Sequence, residues 1–526
     1  MKKKIAMLLA AGLTLCAGFS AVGCSSSGGK KEETDYIVPT ALKKTETGRV
    51  YMEKNGKPFV YTGAAIRLDG YPHFQERTFE EMEEQFRLAA ELGVNSVQVQ
   101  IVWGDIEKQK DVYDFRQLRT MLEWAVEYGL YVDLLMGTPQ ECHWYLPDYI
   151  YEDEATYPKY QSTHKGAYWW NGYHGTMVYG HPNLIERERK FITAVTDFLY
   201  EWEKNNGNPN IVVSFGINNE PDGFVRWVLV DYELSLPDGS RRLTDKEAWE
   251  ALYVTLEAEG RAYKESKYRA ITRTNLIKLW ENEYGLDTYA RRMYDLGTID
   301  IIGDDTYTES ISNQTKAMND LMTGHFANNF PHVAENSGAF ENAASLVLSA
   351  LMQGAGYSIY CLALPEGYVD PNDASYDYWE QGILDPVTWE DKAHTQTVRD
   401  VLHGINKAGL QVAVADLNQM KAFNTVQNFP QPELEETAQI GGRTITYKTV
   451  NGGLAYAIYY KGYTTVLATA DCTMEFSGGA ITQVQKGSFN DFAFVSEGDV
   501  TIEGNVLSLS ANTCYRLLTN PAEAAK

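Results

Sequence analysis

From about Phe59 onward, short apolar runs alternate with stretches in which apolar residues recur every three or four positions. The first pattern predicts buried strands and the second amphipathic helices. Val60–Ile66 reads as a first strand. Thr78 then caps a helix, with Glu81 completing a capping box, Phe79, Met82, Phe86 and Ala90 on one face, and Gly93 as its stop. Val94–Val102 is a second strand, and Leu118, Met121, Leu122, Ala125 and Val126 form a helical stripe ended by Gly129. Leu130–Met136 is a third strand. A long loop from Gly137 to Asn183 leads to a helix with Phe191, Val195, Phe198, Leu199 and Trp202 on one side. Ile211–Ile217, Ala270–Asn275, Ile299–Gly303, Pro331–Ala334 and Tyr357–Leu364 supply strands four to eight, with helices over Tyr289–Leu296, Ala339–Gln353 and Val398–Lys407. Eight such units predict an α/β fold, a (β/α)8 barrel, whose functional rim lies at the C-terminal ends of the strands. A doubly wound sheet is the alternative, but it rarely needs eight repeats.

The pattern changes beyond about Ala415. Arg443–Val450, Leu454–Tyr460 and Tyr463–Ala470 are short β-type runs separated by Gly and Asn turns, which predicts a small all-β, sandwich-like domain over 415–526. The barrel is then expected over 41–414. At the other end, Lys2–Lys4 is followed by an apolar, small-residue stretch and by Ala21-Val22-Gly23-Cys24, the order of a lipoprotein leader, with Ala21 where a leucine is usual. Residues 1–23 are expected to be removed and Cys24 to be lipidated, with 24–40 as a flexible, Ser/Gly-rich tether. That would hold the protein outside the cytoplasm, on a bacterial cell surface, touching the membrane through this anchor alone. Plain secretion is the simpler alternative.

With 526 residues, the chain is too long for one core. Its net charge of −25 argues against nucleic acid, whose phosphates it would repel. Cys142, Cys361, Cys472 and Cys514 are too scattered for a metal site, and no metal or organic cofactor is expected; Cys472 and Cys514 could pair. The 35 tyrosines weigh more, because aromatic rings pack on the flat C–H faces of sugars.

Two glutamates draw the chemistry together. Glu220, in Asn218-Asn219-Glu220-Pro221, and Glu335, in Ala334-Glu335-Asn336, lie at the ends of strands four and seven. A barrel puts both on one rim. Two carboxyls facing across a cleft are what glycosidic cleavage needs. One must hold a proton for the leaving oxygen, and an enclosed site beside a second carboxylate favours that; Glu335 stays ionised and attacks. The plain alternative is two surface glutamates among many. Asn219 can hydrogen-bond a sugar 2-hydroxyl or merely form a turn. Tyr307, after strand six, can hold Glu335 in line or be one tyrosine among many. Trp103, after strand two, is a pocket wall or a rim plug. The long third loop carries His143, Trp144, Tyr145, Tyr168, Trp169, Trp170, Tyr173 and His174, which either wall the cleft or pack among loops.

Trp103-Gly-Asp-Ile-Glu107 through Tyr113-Asp-Phe115 resembles the second-strand segment of the family 42 and family 35 β-galactosidases, and so does His181-Pro-Asn183 through Asn219-Glu220. Thr274-Asn275, Asp305-Thr306-Tyr307 and Ala334-Glu335 continue the resemblance in order, over roughly Phe59–Leu364. Clan A of the glycoside hydrolases, to which those families belong, consists of retaining (β/α)8 enzymes. The resemblance implies Glu220 as acid/base and Glu335 as nucleophile, with Asn275 among the substrate-side residues. Two features depart from it. Strand eight carries no tryptophan, and the cysteine cluster that binds zinc in some members is missing. Both bear on the sugar rather than on hydrolysis.

The expectation is a tethered retaining β-glycosidase of β-galactosidase type, with carbohydrate as its partner and carboxyl groups about 5–5.5 Å apart. The rivals are an endo-acting β-glycanase on mannan, xylan or glucan, and a glycan-capturing lipoprotein without turnover. A transporter-type solute-binding lipoprotein would need two hinged lobes, which eight barrel units do not match. The oligomeric state is open.

Overall fold

The computed structural model describes residues 36–66, 79–137, 146–162, 175–223, 233–279, 286–363, 381–385, 388–479 and 481–519. The chain begins with an antiparallel meander, β1 (Thr40–Lys44), β2 (Val50–Lys54) and β3 (Lys57–Phe59). Val50 and Met52 pack with Val213, Ile271, Ile301 and Phe330 at the starts of later strands, so the meander covers the N-terminal end of the barrel. Thr40 Oγ1 ties it down, donating to the Val213 carbonyl (2.8 Å) and accepting from Ile271 N–H (3.0 Å). This element lies before the first strand read from the sequence. Ile37 already bridges to Tyr268, so the expected tether has ended by there; its earlier part and Cys24 lie outside the described residues.

Strands β4 (Thr62–Ile66), β5 (Ser96–Val102), β6 (Tyr131–Gly137), β7 (Val212–Ile217), β8 (Ile271–Ile277), β9 (Ile301–Asp305), β10 (His332–Ser337) and β11 (Gly356–Tyr360) close a parallel barrel in the order β10-β11-β4-β5-β6-β7-β8-β9. Every residue of β7, β8, β9 and β10 is buried, because helices cover the outer face and the barrel interior the other. The boundaries matter at two places. β9 runs to Asp305 and β10 to Ser337, so Asp305 and Glu335 sit within the sheet, in register with each other, rather than in loops after it.

The helices between strands are α1 (Glu83–Leu92), α2 (Trp103–Ile106), α3 (Arg116–Glu127), α4 (Asp148–Glu152), α5 (Pro182–Asn205), α6 (Asp245–Glu265), α7 (Leu286–Asp295), α8 (Ile311–Asp320) and α9 (Ala343–Met352). A 3-10 turn over Phe79–Met82 leads into α1, whose N-cap Met82 makes no side-chain cap bond; Thr78 lies outside the described residues. A reciprocal capping box is present at α6, between Thr244 and Glu247. Gly93 does end α1, in the left-handed conformation that costs glycine least. All ten residues of α9 are buried, since α8, α10 (Thr395–Ala408) and the β domain enclose it.

After α11 (Gln411–Val414) the chain enters a two-sheet sandwich formed by β12 (Met420–Phe423), β13 (Leu434–Ile440), β14 (Arg443–Thr449), β15 (Ala455–Tyr460), β16 (Tyr463–Ala468), β17 (Cys472–Ser477), β18 (Ile481–Asn490), β19 (Ala493–Asp499), β20 (Val506–Leu509) and β21 (Cys514–Thr519). The sheet orders are β12-β15-β16-β21-β18-β19 and β13-β14-β17-β20. Ile445, Tyr447, Met474 and Phe476 face Ala457, Val466 and Leu517 across the core. The other side of the larger sheet packs on α10, where Tyr456 O–H donates to the Gly404 carbonyl (2.8 Å) and Leu467 lies against Gly404. Leu454, Tyr456, Ile458 and Leu467 join the barrel's own apolar core, so the β domain packs on the barrel through an apolar interface. Cys472 and Cys514, whose pairing the sequence left open, are both buried free thiols and do not pair.

Candidate active site

Both glutamates stand at the C-terminal rim, and the local backbone explains how. After β7 the chain reverses through Asn218 (φ 61°) and Glu220 (φ 42°), positive values that non-glycine residues avoid. The turn is held by Gly223 N–H donating to the Glu220 carbonyl (2.7 Å). It is also stitched to the end of β8 by Ile277 N–H, which reaches the Asp222 carboxylate. Strain of this kind persists only where neighbours over-determine it, and here it aims Glu220 inward. Glu220 is 6% exposed and Glu335 4%, so both carboxyls are enclosed.

Glu335 is gripped through both oxygens. Gln98, on β5, donates from Nε2 to Oε1 at 2.8 Å. Tyr307 donates its O–H to Oε2 at 2.5 Å. Two donors on opposite oxygens favour the ionised form and fix the rotation of the carboxylate. Tyr307 too has a positive φ, 33°, and its ring meets Tyr360, from the end of β11, edge to face at 5.8 Å. Burial and the neighbouring carboxylates Glu335, Asp305 and Glu220 push the Tyr307 phenol well above its ordinary value, so it remains a donor.

Asn275, on β8, is fully buried and bridges two groups. Its Nδ2 donates to Asn219 Oδ1 (2.8 Å) and to Asp305 Oδ2 (2.6 Å). Asn275 therefore orients Asn219 instead of lining the cleft. Beneath the rim lies a charged layer inside the barrel. Arg273 Nε donates to Asp133 Oδ2 (2.8 Å), which also accepts from Tyr61 O–H (2.9 Å). The Arg273 guanidinium is held above its ordinary value chiefly by Asp133, against the burial that opposes it, and it feels the Glu335 charge as well. Burial and that same guanidinium depress His332 well below the usual imidazole range.

Trp103 occupies neither place expected of it. It is fully buried, stacked on Phe191 at 5.1 Å, and donates its indole N–H to Glu107 (2.6 Å). Glu107 also accepts from Asp111 N–H (2.7 Å) and pairs with Arg187 of α5. The tryptophan belongs to a clamp that joins the loop after β5 to α5, behind the rim. Trp144, His143 and the other loop aromatics named above lie outside the described residues.

Gln98, Arg273 and Asp133 were not singled out in the sequence, yet a signal exists. Each is a polar residue inside an otherwise apolar strand, and in a barrel buried on both faces such a residue must point at polar company. Among the described residues, no group of His, Cys, Asp and Glu is arranged to hold a metal ion, and no helix is long and apolar enough to cross a membrane.

Residues 71–233 match the beta-galactosidase family 42 of the glycoside hydrolases, and residues 252–430 match a domain of unknown function (DUF4978). The chain is 27% identical over 236 residues to an exo-beta-D-glucosaminidase of Thermococcus kodakarensis, covering 40% of this chain and 28% of that one. It is 27% identical over 192 residues to the exo-beta-D-glucosaminidase of Pyrococcus horikoshii, covering 34% and 23%. The matched stretch thus spans under a third of either relative. Among solved structures, the exo-beta-1,4-mannosidase Op5Man5 of Opitutaceae bacterium strain TAV5 aligns with 13% identity over 73% of this chain and 63% of that one, with a TM-score of 0.45. A GH30 endoxylanase from Clostridium papyrosolvens C71 aligns with 12% identity over 88% and 96%, with a TM-score of 0.43. The likeness to the family 42 beta-galactosidases is thus carried by residues 71–233.

Proposed function

We propose that this chain is a retaining exo-acting β-glycosidase of β-galactosidase type, with Glu335 as nucleophile and Glu220 as acid/base. One observation carries the reading: an enclosed carboxylate, Glu335, is held through both oxygens by Gln98 and Tyr307, on the same rim as an enclosed second carboxyl, Glu220. Glu335 Oε attacks the anomeric carbon. The bond to the leaving oxygen breaks as Glu220 passes its proton to that oxygen. Glu220 then takes a proton from water, the water oxygen joins the anomeric carbon from the vacated side, and the ester to Glu335 breaks. Asn219, fixed by Asn275, is the candidate partner of the sugar 2-position.

The family match favours a β-galactoside. The two relatives named as exo-beta-D-glucosaminidases favour a β-glucosaminide as the second reading. We further propose that Cys24 tethers the enzyme outside the cytoplasm.

The test is a panel of aryl β-galactosides, β-glucosaminides, β-glucosides and β-mannosides, given to the chain lacking residues 1–24 and to its Glu335→Gln and Glu220→Gln variants. Turnover of one glycone is expected, with the β-anomer formed first by proton NMR and turnover lost in Glu335→Gln. Glu220→Gln is expected to lose about 10²–10⁴-fold, most on poor leaving groups. An α-anomer formed first, or turnover that survives Glu335→Gln, refutes the assignment.

A further inference from the structure

A relay of two amides under the rim fixes which polar end Asn219 can offer to a sugar. Arg273 and Asn275 are alternate residues of β8, on the same face of the strand, and both are fully buried. Arg273 Nε donates to Asp133 Oδ2 at 2.8 Å, and its Nη1 faces Asn275 Oδ1 at 3.5 Å. A guanidinium carries donors only. Turning the Asn275 amide over would set its NH2 against that cation and its carbonyl oxygen against the Asp305 carboxyl. The carbonyl end therefore stays on Arg273, and Nδ2 gives its two hydrogens to Asp305 Oδ2 (2.6 Å) and Asn219 Oδ1 (2.8 Å).

The polarity passes on to the next amide. Asn219 must meet the Asn275 N–H with its own carbonyl oxygen, so the end of its amide that remains for a ligand is Nδ2, a donor and not an acceptor. Asn218, Glu220, Pro221 and Asp222 are buried and Asn219 is half-buried, so of this turn Asn219 is the residue most open to the rim. A sugar hydroxyl has lone pairs and can accept from Nδ2. An ammonium has three donors and no lone pair, so in the same place it would set N–H against N–H in an enclosed site. The neighbouring acids are committed elsewhere. Glu335 has both oxygens held by Gln98 and Tyr307, Asp305 is fully buried with Oδ2 on Asn275, and Glu220 serves the leaving oxygen.

We infer that the Arg273–Asn275–Asn219 relay selects a glycone with a hydroxyl at C2 and rejects one with an ammonium there. The inference deepens the proposed β-glycosidase reading and rests on it, with Asn219 as the partner of the sugar 2-position. It separates the two substrates proposed above, in favour of the 2-hydroxy sugar. Arg273 and Asn275 are positioning residues, which act on the substrate only through the orientation of the Asn219 amide.

The test uses the full-length chain and sugars that differ at C2 alone. An aryl β-galactoside is set against the aryl 2-amino-2-deoxy-β-galactoside, and an aryl β-glucoside against the aryl β-glucosaminide, so that C4 is matched within each pair. A sugar 2-amine is an ammonium at pH 6 and a free amine at pH 9, as an α-amino group of pKa about 8 would be. At pH 6, kcat/KM should favour the 2-hydroxy member by about 10²-fold or more. By pH 9 that ratio should fall by about tenfold or more, since the free amine regains a lone pair. Asn219→Asp replaces the donor by an oxygen. Asn275→Asp offers Asn219 Nδ2 an acceptor, so that the Asn219 amide turns over and presents Oδ1. Each variant should cut the preference at pH 6 by about tenfold or more, a change in ratio that a general loss of activity would not produce. A 2-amino sugar turned over as well as its 2-hydroxy partner at pH 6, or a ratio unmoved in both variants, overturns the inference while leaving the glycosidase reading intact. Should no glycoside be turned over, that reading falls, and calorimetric binding of the matching methyl glycosides at pH 6 decides the inference: tighter binding of the 2-hydroxy member upholds it, and any other result overturns it.

Discussion

Replacing Tyr307 by phenylalanine removes one oxygen and leaves the ring that packs on Tyr360. Its phenol is one of two donors to Glu335, at 2.5 Å, with Gln98 on the other oxygen. A hydrogen bond to a charged acceptor contributes roughly 1.5–3 kcal/mol. That stabilisation belongs to the ionised form alone, since a protonated Glu335 would compete for the same contact. Its loss therefore raises the proton affinity of Glu335 by the same free energy, about one to two pH units at ~1.4 kcal/mol each. The sign follows: Glu335 must be ionised to attack, so the acid limb of kcat/KM moves to higher pH by about one to two units. The assay is kcat/KM for the best aryl glycoside from the panel, measured across the acid limb for wild type and Tyr307→Phe. Near neutral pH the two should converge, and at low pH they should separate by about 10- to 100-fold. A pH-independent loss, with the acid limb unmoved, would refute the claim that Tyr307 acts through the charge on Glu335.

Other positions give further expectations. Trp103→Ala should destabilise the protein by about 3–5 kcal/mol, measured by urea unfolding, yet leave KM unchanged for the folded fraction, because the ring is spent on Phe191 and Glu107. Arg273→Met leaves Asp133 buried without its cation and should cost about 3–5 kcal/mol in the same assay, with part of the loss restored by pairing it with Asp133→Asn. Glu188, on α5, is fully buried with neither oxygen hydrogen-bonded, and burial together with the Glu259 charge raises its proton affinity well above the ordinary range. The folded state thus holds a proton that the unfolded chain releases above the ordinary glutamate value, so this contribution to stability is complete in acid and declines as pH rises. Glu188→Gln should flatten that decline in melting temperature measured from pH 5 to 8, and an unchanged slope would refute it.

The alternation of strand and helix was legible from the chain because every barrel strand is buried on both faces, and Val, Ile, Leu and Phe mark such strands wherever they fall. Gly93 and Gly129 marked helix ends for the same local reason: both adopt positive φ. With the barrel in hand, Glu220 and Glu335 fall on one rim by topology, whatever their side chains touch. The β1–β3 meander was not legible, since its alternation of buried and exposed residues acquires meaning only against the barrel floor it covers. Neither was the fate of Trp103, because an aromatic after a strand reads alike whether it faces a cleft or, as here, packs against α5. The partners of the candidate catalytic groups needed the closed barrel most. Gln98 lies 237 positions from Glu335, and Tyr61 lies 72 from Asp133; only closure brings them together. The sequence by itself thus determined which residues are buried and at which end of a strand the carboxyls stand, because both follow from local periodicity. The tertiary structure alone decided which donor meets which oxygen, and that pairing sets the protonation states on which the proposed chemistry depends.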